Sequence, residues 1–281
     1  VQTCALPIFL EHIRSNTIIS TADVPAFAIY CVSLFAFRYI MTTYVLSKLG
    51  KMLKQKRLMK FVHRSYDLMH YLTSAFIGLL ALTQTPYGHC VYWAKECKDI
   101  LMPTEDAFKC TLIEKIYYLS FAGYYVVDIF YIWTSSEIGM MIVHHIATLS
   151  MIFFAIILRV PAIGLSVMLL HDVVDVPLYL GKILLYLNFH QAKDMCLYAF
   201  ALMCTYFRVT NYPILVYNIW MNYKHITRLR PLYFFTATLL LVLYGLHLIW
   251  KYKIFTNVVE IFQGKGVHDN RSDKATGKKN N

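Results

Sequence analysis

The chain has 281 residues, of which 58% are hydrophobic and 15% charged, with a mean hydropathy of +0.49. That excludes an ordinary soluble domain, in which about a quarter of residues are charged. The net charge of +11 does not point to nucleic acid, because the basic residues fall between or after apolar stretches; anionic lipid or a phosphorylated substrate fits them better.

In chain order, Val1 to Ile8 (VQTCALPI) read like translated sequencing-adapter sequence and are left out of fold reasoning. Residues 9–25 are expected to form a lumenal N-terminal segment, followed by a first transmembrane helix over 26–46. A hydrocarbon core of ~30 Å needs about 20 apolar residues per helix. Further stretches that meet this need lie near Leu68–Thr83, Leu112–Trp133, Ile138–Leu158, Ile163–Leu187, Met195–Trp220 and Pro231–Phe255. The expected fold is an all-α polytopic membrane bundle of about seven transmembrane helices.

The orientation signal is the basic run after the first span: Lys48, Lys51, Lys54, Lys56, Arg57, Lys60 and Arg64, with no acidic residue before Asp67. It reads as a cytosolic loop and places the N-terminus in the lumen. Lys224, Arg228 and Arg230 argue the other way but are fewer. Residues 263–281 are expected to be a disordered basic cytosolic tail. Its end, Lys278-Lys279-Asn280-Asn281, resembles a dilysine retrieval signal of the endoplasmic reticulum, and a cytosolic tail leaves the formal acceptor Asn270 unglycosylated. Cys31, Cys196 and Cys204 fall in apolar stretches as small hydrophobes. Cys90, Cys97 and Cys110 share one polar loop and could include a disulfide if that loop is lumenal.

An ionisable side chain at membrane depth costs at least ~2.5 to 3.5 kcal/mol and calls for a partner or a task. Here His144 and His145 sit in the middle of one apolar span, and His171, Asp172 and Asp175 interrupt the next, with Asp128 and Arg208 in two others. At about 100° per residue the His-Asp-x-x-Asp element occupies one sector of its helix. His144 and His145 lie about 100° apart, so one can enter a cavity while the other reaches a neighbouring helix or carbonyl. Bundling helices together is the bland reading of any single such group. Arg208 and Lys182 could equally be counter-ions or snorkelling residues. No repeated HxxxH or HxxHH box supports a metal, and there is no Gly-rich phosphate loop or GxSxG elbow.

These residues resemble the TLC-domain family, and within it the ceramide synthases, whose motif pairs His-His with a later His-Asp-x-x-Asp. In this chain they read HHIATLSMI and GLSVMLLHDVVDVPLYLGK, with RVTNYP (Arg208 to Pro213) and LHLIWKYKIF similar to downstream elements. The likeness covers residues 60–262. The chain departs from the family at Tyr179, where a Glu is frequent, at Pro177 and at Arg159, departures that bear on substrate preference more than on reaction type. The resemblance implies a TLC-domain fold around a central cavity and transfer of an acyl group from acyl-CoA to the amine of a sphingoid base, in the endoplasmic reticulum membrane. The implied catalytic residues are His144, His145, His171, Asp172 and Asp175, with Arg208, Lys182 and Tyr212 binding substrate. No metal or cofactor is expected, acyl-CoA being a co-substrate. Expected partners are acyl-CoA, a long-chain sphingoid base and membrane lipid, with no nucleic acid; a homo- or hetero-dimer is compatible with the sequence.

A protonated amine needs a base near neutrality, which a histidine in a dry cavity supplies. One of His144, His145 or His171 is expected to act, oriented by Asp172 or Asp175. A histidine that first accepts the acyl group is the covalent variant. The non-enzymatic alternative is a TLC-domain lipid-binding or cargo-receptor protein.

Overall fold

Within residues 13–85, 108–134, 138–222 and 229–263, which the computed structural model describes, the chain is almost wholly helical. The first helical unit is α1 (Val24–Ile40), a π-helical turn (Met41–Leu46) and α2 (Ser47–Met52); the second is α3 (Leu58–Thr83). Then follow α4 (Leu112–Asp128) with a 3-10 extension (Ile129–Thr134), α5 (Ile138–Leu158) and α6 (Pro161–Tyr186). α7 (His190–Met203) continues through a second π-helical segment (Cys204–Asn211) into α8 (Tyr212–Asn222), and α9 (Arg230–Phe262) closes the described chain. Each of the seven expected spans thus corresponds to one helical unit. Those over Thr21–Met52, Ile138–Leu158, Pro161–Tyr186 and Arg230–Glu260 are long and apolar enough to cross a membrane by length and composition. This is a multi-pass membrane protein.

α3 begins ten residues before the expected Leu68, and only residues 53–57 separate it from α2. The run read as a polar loop is mostly helix ends, since Arg64 finds an acid one turn on, Asp67 at 2.8 Å. Short connections elsewhere use residues in the left-handed region, Arg159 (φ 60°) between α5 and α6 and Asn188 (φ 62°) between α6 and α7. Pro161 opens α6, where a missing N–H costs nothing.

Strand β1 (Asn16–Ile18) pairs antiparallel with β2 (Lys109–Thr111), Asn16 opposite Thr111. The two strands feed α1 and α4, which therefore run parallel, with Phe35 against Phe130 and Arg38 against Asp128. Lys115 bonds Asp23 (2.6 Å) and the Ile18 carbonyl (2.8 Å), fastening this end. α4 is started by a reciprocal cap, the Glu114 carboxylate accepting from the Thr111 N–H at 2.7 Å. Cys110 beside it is buried with a free thiol, which burial pushes up to about 12.

α3 and α6 run antiparallel, with Tyr71 stacked on Tyr179 and Ser74 bonded to Asp172. α5 and α9 are antiparallel too, His144 meeting Trp250 and Phe154 meeting Phe235. α6 is the central element: 67% of its apolar window is buried, against 6% for the first helical unit. On α1 only Arg38 is buried, while Ile29, Val32 and Phe37 point outward, the pattern of a helix that presents its apolar side chains to lipid. Cys204 is buried, whereas Cys31 and Cys196 are half-buried. Val1 to Ile8, Cys90, Cys97, Lys224, Arg228 and the tail with Asn270, Lys278 and Lys279 lie outside the described residues.

Candidate active site

His144 and His145 project from the middle of α5, and the 100° between them sends them to different neighbours. His144, 7% exposed, places Nε2 at 3.4 Å from the Tyr125 hydroxyl of α4, a long contact. Its ring also lies 5.4 Å from Trp250 and 6.1 Å from His171, centre to centre. His145 turns to α4, with Nε2 at 2.9 Å from Asp128 Oδ2 and Nδ1 at 2.9 Å from its own Met141 carbonyl. Both of its nitrogens face acceptors, which leaves neither to a substrate.

The His-Asp-x-x-Asp element does not serve a single cavity. Because α6 is surrounded, each azimuth meets a different helix. His171 Nδ1 donates to the Val167 carbonyl (2.6 Å), and its Nε2 lies 2.8 Å from Nε2 of His247 on α9. Asp172, fully buried, accepts from Ser74 Oγ (2.5 Å) and the Tyr117 hydroxyl (2.6 Å) on α3 and α4. Its other oxygen has no hydrogen-bond partner among the described residues. Asp175 takes the Arg208 guanidinium at 2.7 Å. Among the described residues neither Asp172 nor Asp175 is hydrogen-bonded to a histidine, contrary to the sequence expectation; a histidine that does gain a carboxylate is His145, through Asp128.

Arg208 projects from the π-helical segment. The same Nη2 reaches the His171 carbonyl at 2.9 Å, so it ties α6 at two levels while remaining buried. Such a bulge rotates the side chains after it, and bulges of this type are frequent at functional sites. Tyr212 is fully buried and its hydroxyl donates to the Leu240 carbonyl (2.9 Å). Its ring packs edge-on against His171 and His247, a supporting position rather than the substrate contact expected from sequence. Lys182 lies with its Nζ 5.7 Å from the centre of the Tyr179 ring.

Two cavities flank this core. One of about 600 Å³ is almost wholly apolar and runs between α5, α6, α8 and α9. Tyr125, Thr148 and His171 lie at its polar end and Leu158, Val160 and Tyr233 at the other. The second, about 470 Å³, lies toward the end of the bundle that carries the 53–57 connection. It is lined by Arg38, His63, Arg64, Asp67, Asp128 and Lys182, among others. In its wall Arg38 holds Asp128 at 2.6 Å and Asp67 at 3.5 Å, and its guanidinium carbon sits 3.9 Å over the Tyr131 ring. On α5, Met141 lines the polar cavity and Thr148 the apolar one; His144 lies between them on the same face. Among the described residues no group of three or more His, Cys, Asp or Glu is disposed to hold a metal ion.

Sequence reading did not single out Arg38, His247, Ser74, Tyr117 or Tyr125. For the first two a signal existed, an ionisable group deep in an apolar span; for the hydroxyls none did.

The TLC domain family model (TRAM, LAG1 and CLN8) matches residues 60–256. Similar proteins include ceramide synthase 1 LOH3 of Arabidopsis thaliana, 26% identical over 94% of this chain and 93% of its own. Ceramide synthase LOH1 of the same plant is 28% identical over 76% and 73%. Sphingosine N-acyltransferase lag1 of Schizosaccharomyces pombe is 26% identical over 88% and 66%.

Proposed function

The chain belongs to the TLC-domain family, and we propose that it is a ceramide synthase, transferring a fatty acyl group from acyl-CoA to the amine of a long-chain sphingoid base. The names of its relatives support an N-acyltransferase. The observation that carries the finer reading is that Met141 and Thr148, one turn to either side of His144 on the same face of α5, line the polar and the apolar cavity respectively. A long-chain thioester has the same division. Its charged head would lie among Arg38, Arg64, His63 and Lys182, its chain in the apolar cavity, and its carbonyl beside His144.

By its place on α5 between residues of the two cavities, His144 is the imidazole assigned to the reaction, as general base toward the amine or as the nucleophile that first accepts the acyl group. Tyr125 beside it would steady the developing oxyanion or the imidazole. Asp172, Asp175 and Arg208 act as positioning residues that fix α6. The polar cavity and basic run would face the cytosol, where acyl-CoA is supplied, in an endoplasmic reticulum protein with a lumenal N-terminus.

The test is to supply the purified protein, in detergent with added lipid, with sphinganine and a panel of acyl-CoA donors, and to look for N-acyl product by mass spectrometry. Wild type is expected to make it and His144→Ala not. A folded wild type that yields no product with any donor would return the reading to a non-catalytic lipid-binding or cargo protein.

A further inference from the structure

Amide formation from an ammonium and a thioester leaves a proton to be placed. The new bond joins the amine nitrogen to the acyl carbon as the carbon–sulfur bond breaks. Of the three amine protons one stays on the amide, one leaves with the thiol, and one remains in a cavity walled by apolar side chains.

We propose that His171 and His247 form a joint acceptor for this proton, an assignment that rests on the acyltransferase reading above. His171 Nδ1 faces the Val167 carbonyl, which can only accept, so the proton of a neutral His171 is on Nδ1. Its Nε2 then accepts from His247 Nε2–H across 2.8 Å. That leaves His247 Nδ1 as a buried lone pair that borders the Arg208 backbone without a well-directed hydrogen bond among the described residues, in a side chain with no exposed surface. A proton taken up there need not stay there. The Nε2 proton passes to His171, and the charge ends on an imidazolium that donates to Val167 on one side and to His247 on the other.

The surroundings suit a transient cation. α6 presents Asp172 and Asp175 besides His171 itself; the π-helical segment presents Arg208, whose charge Asp175 balances at 2.7 Å. α5 contributes His144, 6.1 Å from His171. α4 contributes Tyr125, and α8 Tyr212, whose ring packs on both imidazoles. On α9 itself Lys251 lies one turn beyond and is bonded to Thr205. His144, occupied with the acyl carbon, is thereby relieved of storing the proton.

The deciding variant is His247→Gln, which keeps an N–H for His171 Nε2 but cannot take up a proton. At pH 7 its product formation is expected to fall about a hundredfold, the scale of one general-base contribution, and to recover as pH rises toward about 10, where a primary amine loses its own proton. His171→Gln is expected to share that profile, and the double variant to be no worse than either single one, because the pair acts as a unit. A merely structural role predicts an equal loss at every pH. Such a uniform loss, additive losses, or a His247→Gln enzyme with the wild-type profile would each overturn the proposal while wild-type activity preserves the acyltransferase reading. If His247→Gln does not fold, the profile of His171→Gln decides alone. Absence of product from wild type fails the underlying reading instead.

Discussion

Removing the two hydroxyl donors of Asp172 should uncouple its neighbours from the core in a graded way. Asp172 Oδ2 accepts from Ser74 at 2.5 Å and from Tyr117 at 2.6 Å, while Oδ1 has no hydrogen-bond partner among the described residues. Tyr117→Phe therefore leaves this carboxyl half its donors in a site with no exposed surface. Hydrogen bonds to charged groups contribute ~1.5 to 3 kcal/mol each, so either Tyr117→Phe or Ser74→Ala should cost about that much stability. Removing both leaves an unsatisfied buried carboxyl, and the loss should exceed the sum of the singles because the second removal deletes the last donor. Asp172→Asn in the double background should recover part of it, since a neutral amide is less costly to bury unpaired. The assay is thermal unfolding in detergent, read by size-exclusion fluorescence. A Ser74→Ala/Tyr117→Phe protein as stable as wild type would refute the assignment of Asp172 as the junction of α3, α4 and α6.

Other outcomes follow from single contacts. Arg208→Ala strands Asp175 and should cost ~3 to 5 kcal/mol in the same assay, whereas the double variant with Asp175→Ala should cost less; equal losses would show that the pair is not coupled. A Cβ at Gly164 would lie 2.0 Å from the Tyr118 hydroxyl, which donates to the Pro161 carbonyl at 2.6 Å. Gly164→Ala should therefore destabilise by ~1 to 3 kcal/mol or more through overpacking, with partial relief from Tyr118→Phe; an unchanged melting temperature counts against the packing described. Cys110, its thiol pushed from 9.0 to about 12 by burial, should carry roughly a thousandfold less thiolate near neutral pH than an unshifted thiol. It should label with maleimide only on unfolding, and prompt labelling of the folded protein at Cys110 refutes its burial.

What the sequence could and could not convey divides along a physical line. Helix length is one-dimensional: apolar stretches measured against ~30 Å of hydrocarbon matched seven helical units, four of them long and apolar enough to cross a membrane among the described residues, and the misplaced start of α3 came from charges that pair along the helix, as Arg64 does with Asp67. Intramembrane ionisable residues were legible as costly, so His144, His145, His171, Asp172, Asp175 and Arg208 could be named. Partners are three-dimensional. Helical angles placed His171, Asp172 and Asp175 in one sector, but α6 is enclosed, so within that sector they meet α9, then α3 and α4, then the π-helical segment. His247 belongs to no spacing motif, and only the return of α9 against α6 gives it meaning.

The same geometry explains why so many charges can be held in so apolar a chain. Arg38 with Asp128 and Asp67, Arg64 with Asp67, and Arg208 with Asp175 are close pairs, and an isolated member of any of them would carry the full penalty of a bare charge in hydrocarbon. Most of these pairs gather at the end of the bundle bearing the basic run, while the apolar cavity occupies the other half. On the proposed reading that asymmetry is a requirement of the substrate. A thioester with a charged head and a long chain can bind with both parts satisfied only where polarity changes along its length, and its carbonyl then falls at the boundary. His144 stands there, which is why a histidine at the middle of α5, and not one at either end, would be the residue to meet it.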